Sequence, residues 1–130
     1  MAQKGESDTE DRARSQGMLL RLCAVLGFSG VACGALGAHA VKALGPEALD
    51  WWNTGARYHL VHALAVGLVA ALQPRRAAIS AGLFTAGVLL FSGSLYALAL
   101  THVKVLGMVT PVGGLAFLAG WGVLFAGARR

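Results

Sequence analysis

The histidines are the residues of this sequence best suited to chemistry. His59 and His62 are three residues apart, and Tyr58 stands four before His62, so a helix would place all three on one face. Imidazole is the most common metal ligand in proteins and changes its charge near neutral pH. His39 and His102 stand beside other apolar runs. The grouping supports three interpretations: an interfacial polar layer, a small ligand site, or a metal or haem site.

The ligand-site interpretation depends on polar side chains that would lie on the same side of a membrane if the apolar runs cross it. The candidates are His39, Lys42, Arg57, Tyr58, His59, His62, Ser92, Tyr96 and Thr110. Tyr, Trp and His side chains also reach water and headgroups at any membrane interface. Trp51 and Trp52 fit that use within a short amphipathic segment, residues 46–53. The interfacial interpretation therefore needs no ligand.

The metal or haem interpretation lacks the partners that would complete a site. The spacing of His59 and His62 suits one metal ion, but no carboxylate or cysteine stands near them to fill the coordination shell. The sequence also has no nucleophile–base arrangement, phosphate-binding loop or dinucleotide-binding motif. We therefore expect no metal, no cofactor and no catalytic residue.

The composition of the chain indicates that these residues lie in a membrane protein. Hydrophobic residues make up 56% of the 130-residue chain and charged residues 13%, and the mean hydropathy is +0.63. A soluble domain of this size exposes too much of its surface to hide so many apolar side chains. The composition thus excludes a disordered chain, a basic nucleic-acid-binding domain and an ordinary soluble enzyme.

Four apolar runs predict helices that cross the membrane. A span needs roughly 20 residues to cross about 30 Å of hydrocarbon. The predicted spans cover residues 18–39, 57–72, 77–100 and 109–128, separated by Gly45-Pro46 and by polar turns at 73–76 and 101–104. The predicted fold class is all-α: a four-helix transmembrane bundle, up-down-up-down, forming one domain over residues 18–130.

The basic residues predict the orientation of these spans. The side that carries both chain ends and the turn at 73–76 holds eight of the eleven Lys and Arg residues. Because basic residues concentrate in the cytoplasm, both termini are expected there. Residues 1–17 are polar and of mixed charge, which predicts a disordered tail. A cleaved signal peptide is an alternative for the first apolar run, although that run exceeds the usual 7–15 residues.

Glycines recur along the predicted spans. In lipid, helices associate by close backbone approach at small residues, and Gly30 and Gly34 have the spacing of such a contact. Packing within one bundle accounts for the pattern, and a partner helix would be an additional use of it. A Gly34→Leu change is expected to disrupt this packing. The expected packing positions are Gly30, Gly34, Gly37, Gly93, Gly113, Gly114 and Gly120.

Four segments taken together resemble one family of small membrane proteins. They are residues 34–42 (GALGAHAVK), 52–63 (WNTGARYHLVHA), 90–96 (LFSGSLY) and 106–121 (LGMVTPVGGLAFLAGW). In this order they are similar to the family catalogued as domain of unknown function 423, and the resemblance covers residues 18–128. It implies a multi-pass protein with four helices and implies no activity. The charged tail and Gly55, where a bulkier residue is more usual, depart from the family pattern.

These observations favour a non-enzymatic role in the bacterial inner membrane. We expect an accessory subunit that binds lipid or another membrane protein, or a second copy of itself, and no nucleic acid. All six acidic residues lie outside the predicted spans, which argues against a coupled transporter. One alternative is a passive channel or transporter formed by a homo-oligomer. The other is a haem- or metal-carrying redox subunit that uses the outer histidines.

Overall fold

The computed structural model describes residues 2–128 of the chain, and no strand occurs among them. Four helices follow one another: α1 is Ala2–His39, α2 is Pro46–Leu72, α3 is Ala77–Thr101 and α4 is Thr110–Gly127. A short 3₁₀ turn at Val41–Leu44 connects α1 to α2, and another at Lys104–Met108 connects α3 to α4. All four helices are long and apolar enough to cross a membrane. The all-α prediction with four spans is confirmed.

The second helix is longer than the sequence predicts. Gly45 has φ 109°, a conformation that favours glycine, and Pro46 then opens the helix. The expected start at residue 57 is therefore too late, and segment 46–53 forms the first turns of α2. The reason is packing: Trp52 is buried, and it belongs to an apolar cluster with Val41 and Ala99.

The N-terminal residues also differ from expectation. α1 already begins at Ala2, although residues 1–17 are too polar to build a core. All described side chains from Lys4 to Arg14 are exposed. Extending an existing helix adds a hydrogen bond for each residue and needs no new nucleus, so the polar tail continues the span as helix. Residues 129 and 130, at the end of the predicted domain, lie outside the described residues, as does Met1.

Two helices form the centre of the molecule and two lie outside them. α1 packs on α2, α2 packs on α3, and α3 packs on α4. In the most apolar 18-residue stretch of α2, half of the residues are buried inside the protein. In the corresponding stretches of α1 and α4, only 17% are buried. The outer faces carry large exposed apolar side chains such as Phe28 and Phe125. In a membrane these faces contact lipid, which needs no polar cover.

Close helix contacts occur at only some of the expected glycines. A Cβ at Gly120 would come within 2.7 Å of the Phe84 ring, and one at Gly113 would overlap the backbone of Phe91. Gly30 and Gly37 similarly face α2, and Gly114 lies at ordinary contact distance from Phe91. Gly34 and Gly93 differ from expectation, because a Cβ at either would meet nothing within 4 Å. The predicted effect of Gly34→Leu therefore lacks its steric cause, because a Cβ at this position meets no neighbouring helix.

The middle of α3 contains one turn of π-helix, Val88–Ser92. Such turns are rare and place side chains where a regular α-helix cannot. Here Phe91 comes against Gly113 of α4, and the Ser92 hydroxyl donates to the carbonyl of Gly55 on α2 at 2.7 Å. The π-helical turn therefore joins α3 to both of its neighbours.

Some glycines face a neighbouring helix closely and others face open space, and this difference can be tested by its effect on stability. Gly113→Ala is expected to lower the free energy of unfolding by about 1–3 kcal/mol, because the added methyl forces α3 and α4 apart. Gly122→Ala, on the same helix, is expected to leave stability unchanged or raise it by up to about 1 kcal/mol, since alanine favours helix and has room there. Thermal unfolding of both variants in detergent would show equal stabilities if the close-approach argument is wrong.

Candidate functional site

His59 joins three helices through hydrogen bonds. The hydroxyl of Ser29 on α1 donates to the carbonyl of Val25 at 2.9 Å, which leaves its oxygen free to accept from Nε2 of His59 at 3.2 Å. Nδ1 of His59 then accepts from the Tyr96 hydroxyl on α3 at 3.1 Å. This pattern uses a neutral imidazole with both nitrogens occupied. His59 therefore holds α1 and α3 to α2.

His62 makes the corresponding connection to α4. The indole nitrogen of Trp121 can only donate, and it lies 3.1 Å from Nε2 of His62. Nδ1 of His62 then carries the proton and donates to the carbonyl of Tyr58 at 2.8 Å. The imidazole also stacks on the ring of Phe117, with centroids 3.5 Å apart. Together the two histidines connect α2 to each of the other three helices.

These bonds lie near the middle of α2 rather than at its first turn. His59 is the fourteenth of the 27 residues of α2. At 1.5 Å per residue, His62 lies about 15 Å from the end of α2 at Leu72, which is half of a hydrocarbon core of about 30 Å. The expected outer polar layer stays a prediction for this pair. The start of α2 at Pro46, rather than at residue 57, places both histidines further from the beginning of their helix than the sequence predicts.

Other hydroxyls bind across the α3–α4 contact. Ser94 and Thr110 pair through their hydroxyls at 2.7 Å, and Ser80 donates to the carbonyl of Gly120 at 2.9 Å. In the part of the chain that the structure describes, every buried side-chain nitrogen and oxygen has a partner. Since hydrocarbon offers no hydrogen bonds, such pairing is what allows these polar residues inside a span.

A groove opens beside this network between α2 and α4, with α3 as its floor. Its volume is about 520 Å³. The rings of Tyr58 and Phe91 lie 4.6 Å apart along it, and Leu115 and Leu118 form an exposed edge. We call it the aromatic groove. It is lined by Tyr58, His62, Phe91, Pro111, Gly114, Leu115, Phe117, Leu118 and Trp121.

The structure divides the predicted site residues into three groups. His59 and Tyr96 bond each other, and Ser92 and Thr110 bond neighbouring helices. Tyr58 and His62 line the aromatic groove. His39, Lys42 and Arg57 are exposed on the surface and do not join either arrangement. His102 is exposed as well, and its ring meets the edge of Trp51 with centroids 5.9 Å apart.

Sequence reasoning missed Ser29, Phe117 and Trp121 as members of the site. Trp121 carried a usable signal, because it is the twelfth residue of the 18 in α4 and thus too deep for the interfacial tryptophan belt. A tryptophan at that depth needs an acceptor inside the protein. Within the described residues, no group of three or more His, Cys, Asp or Glu side chains is arranged to hold a metal ion.

Comparison with known proteins agrees with this architecture. The profile of the family described as "Protein of unknown function (DUF423)" matches residues 33–114. The UPF0382 inner membrane protein YgdD of Escherichia coli K12 is 46% identical over 118 residues, covering 86% of this chain and 89% of that protein. The UPF0382 membrane protein YwdK of Bacillus subtilis is 41% identical over 115 residues, covering 84% and 94%. No solved structure matches.

The four spans and the internally satisfied polar cluster define a small multi-pass α-helical membrane protein. The chain belongs to the DUF423 family. The resemblance found in its sequence motifs is thereby confirmed, as is the expected location in a bacterial inner membrane. The relatives are named only as membrane proteins, without an enzymatic activity.

The bond between His62 and Trp121 can be measured in a double-mutant cycle. His62→Phe, Trp121→Phe and the double variant are expected to give a coupling energy of about 0.6 kcal/mol, and at most about 1.7 kcal/mol, the range for such bonds in membrane proteins. The free energy of unfolding is measured by denaturation of the folded protein from mild detergent into sodium dodecyl sulfate. Additive single effects would contradict the bond.

Proposed function

We propose that the protein is a non-enzymatic accessory subunit of the membrane that holds one apolar chain or ring of a membrane-soluble molecule in the aromatic groove. The observation that carries the proposal is the groove itself. Its volume of about 520 Å³ falls in the range of about 300–1,000 Å³ that is typical of ligand pockets. Its wall is mostly aromatic and aliphatic, and its exposed edge at Leu115 and Leu118 gives access from lipid.

The chemistry of the groove supports binding rather than catalysis. His62 is the only titratable imidazole on its wall, and both of its nitrogens are engaged by Tyr58 and Trp121. General base catalysis needs a nitrogen that can reach the substrate's proton. The flat faces of Tyr58, Phe91 and Phe117 instead offer contact area to an apolar ligand, and Tyr58 adds one hydroxyl at the rim.

We also propose that both termini lie in the cytoplasm. The eight basic residues near the chain ends and the turn at 73–76 support this orientation. A green fluorescent protein fused to the C-terminus is expected to be fluorescent in bacterial cells, and an alkaline phosphatase fused there is expected to be inactive. An active phosphatase fusion would reverse the proposed orientation.

Filling the groove is expected to remove the bound molecule. Gly114 lies on its wall with room for a Cβ at ordinary contact distance, so Gly114→Leu projects a side chain into the groove. Native mass spectrometry of protein extracted in mild detergent is expected to show a retained apolar molecule. In Gly114→Leu the retained fraction is expected to fall at least tenfold.

Gly122→Leu is the matched control on the same helix. Its Cβ has open space and it lies outside the groove lining, so retention is expected to equal that of the unmodified chain. Equal retention in Gly114→Leu and Gly122→Leu would contradict the proposal, because lipid would then be bound without using the groove. Melting temperatures of the two variants confirm that both are folded.

A further inference from the structure

A second cavity lies at the end of α4, outside the site described above. It has a volume of about 390 Å³ and is lined on one side by Leu72 and Gln73 of α2 and on the other by Leu124 and Gly127 of α4. Arg75 closes its end, and its backbone nitrogen donates to the carbonyl of Gly127 at 3.3 Å. A smaller cavity beside it is lined by Arg75 and Arg76. We call this pair of cavities the di-arginine pocket.

The di-arginine pocket carries positive charge without acidic neighbours. Arg75 and Arg76 are both exposed. No Asp or Glu follows Asp50 in the sequence, and Glu47 and Asp50 lie at the opposite end of α2. The other acids, Glu6 to Asp11, lie on exposed turns of α1, which packs on α2 and not on α4. These exposed guanidinium groups can bind an anion from outside the chain.

The di-arginine pocket and the aromatic groove are separate cavities that follow one another along α4, and we call the two together the cleft. Phe117, Trp121 and Leu124 are spaced by four and three residues, so they share one face of α4. Phe117 and Trp121 line the groove, and Leu124 lines the pocket. On α2, His62 lines the groove and Leu72 lines the pocket. An elongated molecule that occupies both cavities runs along this face of α4.

The length of the cleft matches one leaflet of a bilayer. Gly127 and Phe117 are ten residues apart, about 15 Å along the axis of α4. Half of a hydrocarbon core of about 30 Å is the same length. A lipid whose headgroup lies beside Arg75 thus has its acyl chain end near Phe117, at mid-depth.

We infer that the cleft binds an anionic phospholipid, with the phosphate of its headgroup on Arg75 and Arg76 and one acyl chain running past Leu124 into the aromatic groove. This inference rests on the proposed function and names the ligand class for the same groove. Basic pockets between spans are known to take anionic headgroups. Arginine also matches phosphate with two parallel hydrogen bonds. The proposed orientation places the site in the cytoplasmic leaflet.

The test titrates phosphatidylglycerol and phosphatidylcholine of identical acyl chains into the full-length protein in detergent, with binding read by native mass spectrometry. The unmodified chain is expected to prefer the anionic lipid. Each arginine near a membrane surface strengthens such binding about fivefold, so Arg75→Gln/Arg76→Gln is expected to reduce the preference about thirtyfold. Its affinity for phosphatidylcholine is expected to fall less, because the choline cation of that lipid already offsets the charge of its phosphate. The backbone bond of residue 75 does not depend on its side chain.

Two control variants separate site-specific binding from net charge. Arg57→Gln/Lys104→Gln removes the same charge from exposed positions outside the cleft and is expected to keep the preference. Arg75→Lys/Arg76→Lys keeps the charge and is expected to retain most of the preference. Added inorganic phosphate is expected not to displace the lipid, because the acyl chain supplies much of the binding.

The results of these variants distinguish a failure of this inference from a failure of the groove proposal. An unchanged preference in Arg75→Gln/Arg76→Gln would overturn this inference, while the groove proposal would stand if Gly114→Leu still lowers binding of both lipids. If Gly114→Leu leaves the affinity for phosphatidylglycerol intact, headgroup and chain do not belong to one bound lipid, and the inference is again overturned. Displacement of the lipid by inorganic phosphate alone would also overturn the inference. So would a dimer mass in place of the lipid-bound mass.

Discussion

The absence of hydrogen-bonding solvent in the bilayer core is the constraint on which this structure depends. Polar side chains placed there must bond within the protein. His59 and His62, three residues apart on α2, meet this requirement by bonding Ser29, Tyr96 and Trp121. Because those partners belong to α1, α3 and α4, the same bonds fix the order of the helices around α2. Individual bonds of this kind are worth only about 0.6 kcal/mol, so their main effect is on which helices meet and in which register.

Packing supplies the rest of the cohesion. Apolar surface gives little drive to associate when the surrounding solvent is itself hydrocarbon. Close approach at Gly113 and Gly120 lets α4 lie directly on Phe91 and Phe84 of α3, which increases van der Waals contact. The π-helical turn at Val88–Ser92 places Phe91 at this contact. α1 and α4 do not close a ring, so the face between α2 and α4 stays open as the aromatic groove.

An open cleft between spans is filled by lipid or by another apolar molecule. The two cavities of the proposed lipid site differ in chemistry, with aromatic rings in the aromatic groove and Arg75 and Arg76 in the di-arginine pocket. A phospholipid has the same arrangement, with a charged headgroup at one end and apolar chains at the other. Histidines whose nitrogens are occupied by internal bonds are in keeping with the proposed non-enzymatic role.

The sequence alone determined the class, the number of spans and the turns between them, because length, hydropathy and the residues Gly45, Pro46 and Pro111 act locally. It grouped Tyr58, His59 and His62 on one helical face, whereas in the structure Tyr58 and His62 line the groove beside α4 and His59 bonds α1 and α3. Only the tertiary structure decided their position along α2, since the start of α2 at Pro46 depends on Trp52 packing into a cluster with Ala99, which is far along the chain. For the same reason Gly34 could not be told from Gly113: both suit close approach, and only the position of a neighbouring helix distinguishes them.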